Sequence, residues 1–339
     1  MRKNKIIFLS NANGGIASFQ NNLIQFFINN KVSISLIDQA NNLSTNNRNL
    51  VYFYKCKIVN NYFKCIKILF KIGKENRLDQ SIFIISNPSV FAAYFIFIKL
   101  FFKNSKIFFF LHSHLLNINL FQIISAFLSS LFSILAHKIV FVSNFTKSWW
   151  NLYYPLTRIT ENKVLYNKII KPKRFYRKNY DRLSIGFVGR FEKEKGLEKF
   201  LRITNKIKDK KFIYYVFGNG SHKINKKKYK NVKFFNWSKK ETIYTKINVL
   251  FVSSEIENCP LNVLEAKSYG IPTITLSKGG INEIITNNID GILLKRDISD
   301  KILKKKMNYL LKKYKTFEKN CFKISKKYEI ERYKIKFFL

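Results

Sequence analysis

Short apolar runs, each ending in a polar or glycine-rich turn, recur along this chain and leave few folds open to it. "KIIFLS" is followed by Asn-Gly-Gly and then by "SFQNNLIQFFINN", whose apolar residues return at helical spacing. "VSISLID", "SIFIIS", "KIFFFLH" and "KIVFVS" repeat the theme. A polar, basic break at Lys171 to Arg182 follows, and the pattern restarts with "LSIGFVGR", "FIYYVFG", "NVLFVSS" and "PTITLS". Such runs suit strands buried on both faces of a parallel sheet, with the helical stretches as crossovers. The predicted class is α/β, with two doubly wound parallel-sheet domains. The first spans residues 1–170 and the second 171–315; residues 316–339 form a basic helical tail that packs back toward the first domain.

A length of 339 residues fits two domains. Lys and Arg number 62 against 20 acidic residues, a formal net charge of +42. That balance fits a nucleic-acid or anionic-membrane partner. It equally fits a biased composition, because Lys, Asn, Ile, Phe and Tyr are all abundant while Gly and Pro are few. The cysteines Cys56, Cys65, Cys259 and Cys321 are scattered, without the spacing of a zinc site or a disulfide framework. A reducing cytoplasm is the expected compartment. "MRKNKIIFLSNANGG" reads as a first strand, not as a signal peptide. Two apolar stretches approach the length of a membrane span. "FAAYFIFIKLFF" carries Lys99, and "LFQIISAFLSSLFSILA", Leu120 to Ala136, carries Gln122 and several serines. The second is expected to be a buried helix feeding the strand "KIVFVS".

The stretch "SSEIENCPLNVLEAKSYGIP", Ser253 to Pro272, holds three glutamates in an acid-poor chain. "NVLFVSS" before it and "PTITLS" after it read as strands. Between them "LNVLEAKSY" has helical spacing, with Pro260 suited to its first turn and Gly270 and Pro272 ending it. Glu257 then lies in the loop at a strand's carboxyl end, where open α/β sheets bind ligands, and Glu265 lies in the helix. The helix N-terminus offers N–H groups to a phosphate, while carboxylates accept hydrogen bonds from sugar hydroxyls. The combination points to a nucleotide-sugar. On spacing alone, surface acids on an ordinary βα unit explain the stretch as well.

Other segments add to the first reading. "GFVGRFEKEKG" sets Arg190 and Lys195 just after a strand that ends at Gly189, where the backbone permits close approach and two cations face a diphosphate. Further glycine turns stand in "NANGGIASF" and "SKGGINEII". A dinucleotide-binding dehydrogenase needs Gly-x-Gly-x-x-Gly after the first strand, which "NANGGIAS" does not supply. A basic nucleic-acid-binding α/β protein without transferase activity is the alternative function. It rests on charge alone, spread along the chain without a recognised motif.

The chain resembles family 4 of the retaining glycosyltransferases, the group 1 glycosyl transferases of GT-B fold. "GRFEKEKG" is similar to the family's Gly-Arg-x4-Lys-Gly, and "VFGNGSH" to its Gly-x-Gly turn at Gly218. "SSEIENCPLNVLEA" is similar to Ser-x-x-Glu-x7-Glu-Ala, and "YGIPTITLSKGGINEII" to the run that follows it. In the first half "NANGGIASF", "FFFLHSH" and "KIVFVSNFTKS" match more loosely, and Lys168 in "KVLYNKI" stands where glycine is usual. The resemblance implies two Rossmann-like domains facing across a cleft, the first binding acceptor and the second the nucleotide-sugar. It implies that Arg190 and Lys195 hold the donor diphosphate and that Glu265 binds the ribose hydroxyls. Glu257 contacts the donor sugar, helped by the backbone N–H groups of Asn258, Cys259, Pro260 and Leu261. Gly14, Gly15, Gly189 and Gly218 let backbone approach the donor. His112 faces the reacting sugar, with His114 the competing candidate, because residues two apart on a strand share a face. The implied reaction transfers a sugar with retention to a cell-surface glycan or lipid-linked acceptor. It needs no cofactor beyond the nucleotide-sugar and no metal. The implied place is the cytoplasm, or the inner face of the cytoplasmic membrane as a peripheral protein. For that contact "NNRNLVYFYKCKIVNNYFKCIKILFKIGK", Asn46 to Lys74, combines cations with aromatics.

Overall fold

The structure, a computed structural model, describes residues 5–9, 14–38, 50–58, 61–76, 81–114, 119–172, 181–276, 278–295 and 297–338. The chain divides into two compact units, Met1–Lys168 with Ile330–Leu339, and Ile169–Glu329.

The first unit holds strands β1 (Lys5–Leu9), β2 (Ser33–Asp38), β3 (Val51–Lys55), β4 (Ile82–Ile85), β5 (Lys106–Leu111), β6 (Lys138–Phe141) and β7 (Asn162–Val164). Its helices are α1 (Gly15–Asn29), α2 (Tyr62–Asn76), α3 (Pro88–Phe101), α4 (Leu120–Ser133) and α5 (Asn144–Tyr153). The strands form one parallel sheet in the order β3-β2-β1-β4-β5-β6-β7. Beginning at β1 the sheet first grows one way through β2 and β3 and then the other way through β4, so the order reverses between β1 and β4. The central strand β4 is buried along its whole length, as its unbroken apolar sequence requires, and β6 is buried likewise with its lysine, Lys138, included.

The second unit repeats the plan. Strands β8 (Leu183–Val188), β9 (Phe212–Phe217), β10 (Val232–Phe235), β11 (Val249–Val252), β12 (Thr273–Thr275) and β13 (Gly291–Leu293) pair in the order β10-β9-β8-β11-β12-β13. Helices α6 (Leu197–Lys206), α7 (Lys240–Lys246), α8 (Leu261–Ser268), α9 (Ile281–Ile284), α10 (Asp300–Lys312) and α11 (Tyr314–Ser325) complete it. Here the reversal lies between β8 and β11. Two Rossmann-like parallel-sheet units are what the alternation of apolar runs predicts.

Four strands lie outside the apolar runs singled out in the sequence. β3 is half exposed, β7 and β13 are three residues long, and β10 is an edge strand with one buried position. The C-terminal segment also divides differently from the sequence reading, which set residues 316–339 apart as a tail. Helix α11 buries Tyr314, Phe317 and Cys321 in the second unit, and the Tyr314 hydroxyl donates to the Asn248 carbonyl at 3.0 Å. Only the segment from Ile330 joins the first unit, where Tyr333 and Phe338 pack their rings on Phe26.

Helix α4 corrects the expectation of a buried helix. It is a helix feeding β6, but the side chains it buries are Ser125, Ala126, Ser129, Ser130 and Ser133. The serine hydroxyls bond to backbone carbonyls, Ser129 to Pro88 at 2.7 Å and Ser133 to Ser130 at 2.7 Å. That small face lets α4 lie close to α3, and it turns the large apolar side chains outward. Among the described residues, no helix is long and apolar enough to cross a membrane.

Candidate active site

In the second unit the sequence motifs converge at the point where strand order reverses. The loops that leave the carboxyl ends of β8 and β11 lie on either side of it, which is where open α/β sheets hold ligands. Backbone and side-chain bonds join the two loops. Glu255 N–H donates to the Glu194 carbonyl at 3.1 Å, and the Ser253 hydroxyl donates to the Gly196 carbonyl at 2.8 Å. Gly196 has φ 69°, and a Cβ there would stand 2.3 Å from the Ser253 carbonyl oxygen. Only glycine permits that approach. Gly218, after β9, has φ 145°, and a Cβ would stand 1.9 Å from the Gly189 oxygen. The glycine turns of "GRFEKEKG" and "VFGNGSH" are therefore packed directly on one another or on the β11 loop.

Lys195 and Glu257 meet at the centre of this arrangement. The Lys195 ammonium donates to Glu257 Oε1 at 2.7 Å, with 29% of the lysine and 12% of the glutamate side chain exposed. The Glu257 loop is fixed from its other side by its own N–H on the Lys278 carbonyl at 3.0 Å, and by Ile281 N–H on the Glu257 carbonyl at 3.1 Å. Through these bonds the glycine turn after β12 supports Glu257. Arg190 stands in solvent, 3.9 Å from the exposed carboxylate of Glu194, a contact that water screens.

Glu265 lies in the second turn of α8, with both carboxylate oxygens engaged. The Tyr244 hydroxyl donates to Oε2 at 3.0 Å and the Lys240 ammonium bonds to Oε1. Tyr244 is fully buried; burial, then the Glu265 charge, push its phenol well above the usual range, so it remains a donor. Of these two partners Lys240 is half exposed and Tyr244 is buried. Asn262, one turn earlier, donates to the Val188 carbonyl at 2.9 Å and sets α8 against the end of β8. Pro260 is the residue capping α8 and not its first helical residue. Having no N–H, it corrects the expectation that Asn258 through Leu261 all offer backbone donors. Cys259 and Leu261 are buried, so the side chains at this end of α8 are packing groups.

The remaining expected residues lie in the first unit. Gly14 caps α1 with φ 55°, and Gly15 opens the helix with nothing within 4 Å of where a Cβ would be. The backbone at Gly15 is thus open to a close neighbour. β5 ends at Leu111, so His112 and His114 do not share a strand face. His112 packs its ring on Phe19 of α1 at 4.5 Å, and its Nε2 is enclosed without a hydrogen-bond partner among the described residues. Burial lowers its pKa to about 3, so the ring is neutral at physiological pH. His114 is buried against Phe145 and Trp149 of α5.

The sequence did not mark Lys240, Tyr244 or Asn262, which lie in ordinary helical text. It also did not mark Lys267 of α8. That lysine is fully buried, bonds the Ile284 carbonyl and pairs with Asp290, which in turn accepts the Thr286 N–H at 2.7 Å. A lysine on the apolar side of a helix was the available signal. Among the described residues, no group of three or more His, Cys, Asp or Glu side chains is placed to hold a metal.

Comparison with known proteins bears on the same segment. Residues 169–327 match the glycosyl transferases group 1 family. The match covers the second unit almost entirely and includes every residue of the β8–β11 site. A 41.2 kDa protein of the cps region of Klebsiella pneumoniae is 27% identical over 127 residues, which is 36% of this chain and 36% of that protein. The chain thus matches about a third of that relative's length. Among solved structures, Anabaena Alr3699/HepE in complex with UDP-glucose superposes with a TM-score of 0.75 at 14% identity, over 97% of this chain and 96% of that one. The lipopolysaccharide outer core galactosyltransferase WaaB superposes with a TM-score of 0.69 at 16% identity, over 96% and 95%. The fold is that of the GT-B glycosyltransferases.

Proposed function

We propose that this chain is a retaining glycosyltransferase of family 4 that moves a sugar from a nucleoside-diphosphate donor to a glycan or lipid-linked acceptor of the cell surface. The Lys195–Glu257 pair at the β8–β11 reversal carries this reading. It holds a cation for a diphosphate and a carboxylate for sugar hydroxyls within one hydrogen bond of each other. The family match over the same residues supports it, as do neighbours whose structures hold UDP or UDP-glucose. Similarity to a cps-region protein and to a lipopolysaccharide galactosyltransferase supports a surface polysaccharide as the product.

In this reading Glu265 takes the ribose hydroxyls, with Tyr244 holding its second oxygen. Arg190 and Lys195 face the diphosphate and stabilise the charge that grows as it departs, which is the main catalytic effect open to such a site. Gly189 and Gly218 admit the phosphates close to backbone, and Glu257 hydrogen-bonds the donor sugar. His112, neutral and with an enclosed acceptor nitrogen, is assigned to the reacting sugar over His114, which α5 covers. The bond from the anomeric carbon to the diphosphate breaks and the acceptor oxygen bonds to that carbon on the same face. The acceptor proton passes to the departing diphosphate oxygen. Lys195 and Arg190 supply the positive charge, so the reaction is proposed to need no metal. The test is a screen of UDP-, GDP- and other nucleotide-sugars with EDTA present, products read by mass and anomeric configuration by NMR. Transfer with retention is the expected result; transfer only with added divalent metal, or with inversion, contradicts the proposal.

A further inference from the structure

Helix α4 presents its large apolar side chains to solvent, and this surface is not accounted for by the transferase reading. Phe121 is 60% and Phe127 58% exposed, and Leu120, Ile124, Leu131 and Leu135 stand beside them. The apolar surface continues onto α3 through Ile96, Leu100 and Phe101. From there it reaches α2, where Phe70 sets its ring 5.1 Å from that of Phe101 and Phe63 is exposed a further two turns back. A helix that packs through serines and exposes phenylalanines is inverted relative to an ordinary surface helix.

Among the described side chains of α2, α3 and α4, every charged group is a lysine. From Ser81 to Thr160 the sequence contains no Asp or Glu. Lys103 is exposed just beyond the end of α3, and Lys64, Lys67 and Lys71 are exposed on α2 beside Phe63 and Phe70. On the other flank α4 packs against the turn Pro155–Arg158, where Arg158 and Ile159 are exposed. Glu75, in the last turn of α2, is the acidic residue of these helices.

We infer that α2, α3 and α4 form a docking face for an anionic lipid bilayer, with α4 lying in the interface and the lysines reaching the headgroups. Apolar side chains without charge among them suit the acyl boundary, and long lysine stems extend from that depth to phosphate level. A second copy of the chain fits less well, because a two-fold contact through this face brings its cations against their own images. Of the stretch expected from the sequence, Asn46 to Lys74, residues 46–49 and 59–60 lie outside the described residues; its helical part supplies the α2 edge of the face, but Cys65, Leu69 and Ile72 are core and the larger apolar exposure is on α4. The inference uses the first unit alone, so it stands or falls apart from the donor site.

The test is sedimentation of the full chain with phosphatidylcholine vesicles, alone or with about one-quarter phosphatidylglycerol, at low and high salt. The expected result is binding to the anionic vesicles, weakened by salt, and little to the neutral ones. The pair Phe121→Asp and Phe127→Asp should reduce binding at least tenfold, with an unchanged circular dichroism spectrum showing that the fold survives. If that variant does not fold, Ile124→Cys gives a second measurement, since the native cysteines are all buried and an environment-sensitive dye labels the new one. Its emission should shift to the blue on adding anionic vesicles, and that of a dye at Lys230→Cys in the second unit should not. Equal sedimentation of the aspartate variant and the parent overturns the inference. So does absence of binding at low salt, no shift at position 124, or a parent dimer that those aspartates convert to a monomer without any vesicle effect.

Discussion

Glu257→Gln and Lys195→Met should move nucleotide affinity in opposite directions. In the structure the lysine is committed to the glutamate at 2.7 Å, in a setting where only 12% of the glutamate side chain is exposed. A diphosphate that takes Lys195 must first compete with that carboxylate, and is repelled by it afterwards. A hydrogen bond between charged groups is worth about 1.5–3 kcal/mol, and glutamine still offers the lysine one oxygen. The competition relieved by Glu257→Gln is then about 1 kcal/mol, which corresponds to nucleoside-diphosphate binding roughly fivefold tighter. Lys195→Met removes the cation and leaves Glu257 unpaired beside the anion, so binding should weaken by about tenfold or more. Turnover should fall in both variants, in the first through loss of the sugar contact and in the second through loss of leaving-group stabilisation. Isothermal titration with a nucleoside diphosphate, paired with steady-state kinetics, reads both effects. Equal weakening in the two variants, or no change in either, would refute the argument that the pair must open for the donor.

Two further outcomes concern stability. Lys267→Met strands the buried Asp290 carboxylate and should cost about 3–5 kcal/mol in urea unfolding, with much of it recovered when Asp290→Leu is added; a cost near zero contradicts the buried pair. His112 has a folded pKa of about 3 against an ordinary value of about 6.5, so the unfolded chain binds the extra proton between these values. Its contribution is complete above the upper value and is lost as pH falls toward the lower one. His112→Asn should flatten that part of a stability–pH curve, and an unchanged slope contradicts the assignment.

The sheet was legible where strands are buried on both faces, because an unbroken apolar run such as "IFII" has few other uses. It was not legible at β3, whose burial is partial, or at β13, whose three residues carry too little pattern. Hydropathy gave α4 its helix but not its orientation. The sum over a helix does not say which side meets the core, and here close packing against α3 selected the serines. The site divides in the same way. Lys195 and Glu257 each sit in a motif, but their contact spans 62 residues of sequence and follows from strand order. Lys240 and Tyr244 have no motif at all; they reach Glu265 because α7 comes to lie beside α8.

In the function proposed above, the β8–β11 reversal binds the nucleoside diphosphate of a sugar donor. Titration calorimetry of the full chain with a panel of nucleoside diphosphates, UDP among them, tests it most directly when Glu265→Ala is measured beside the parent. Saturable binding of at least one nucleotide is expected, with roughly tenfold or greater weakening in the variant as ribose contacts to a charged acceptor are lost. No binding across the panel, or equal affinity in parent and variant, would contradict it.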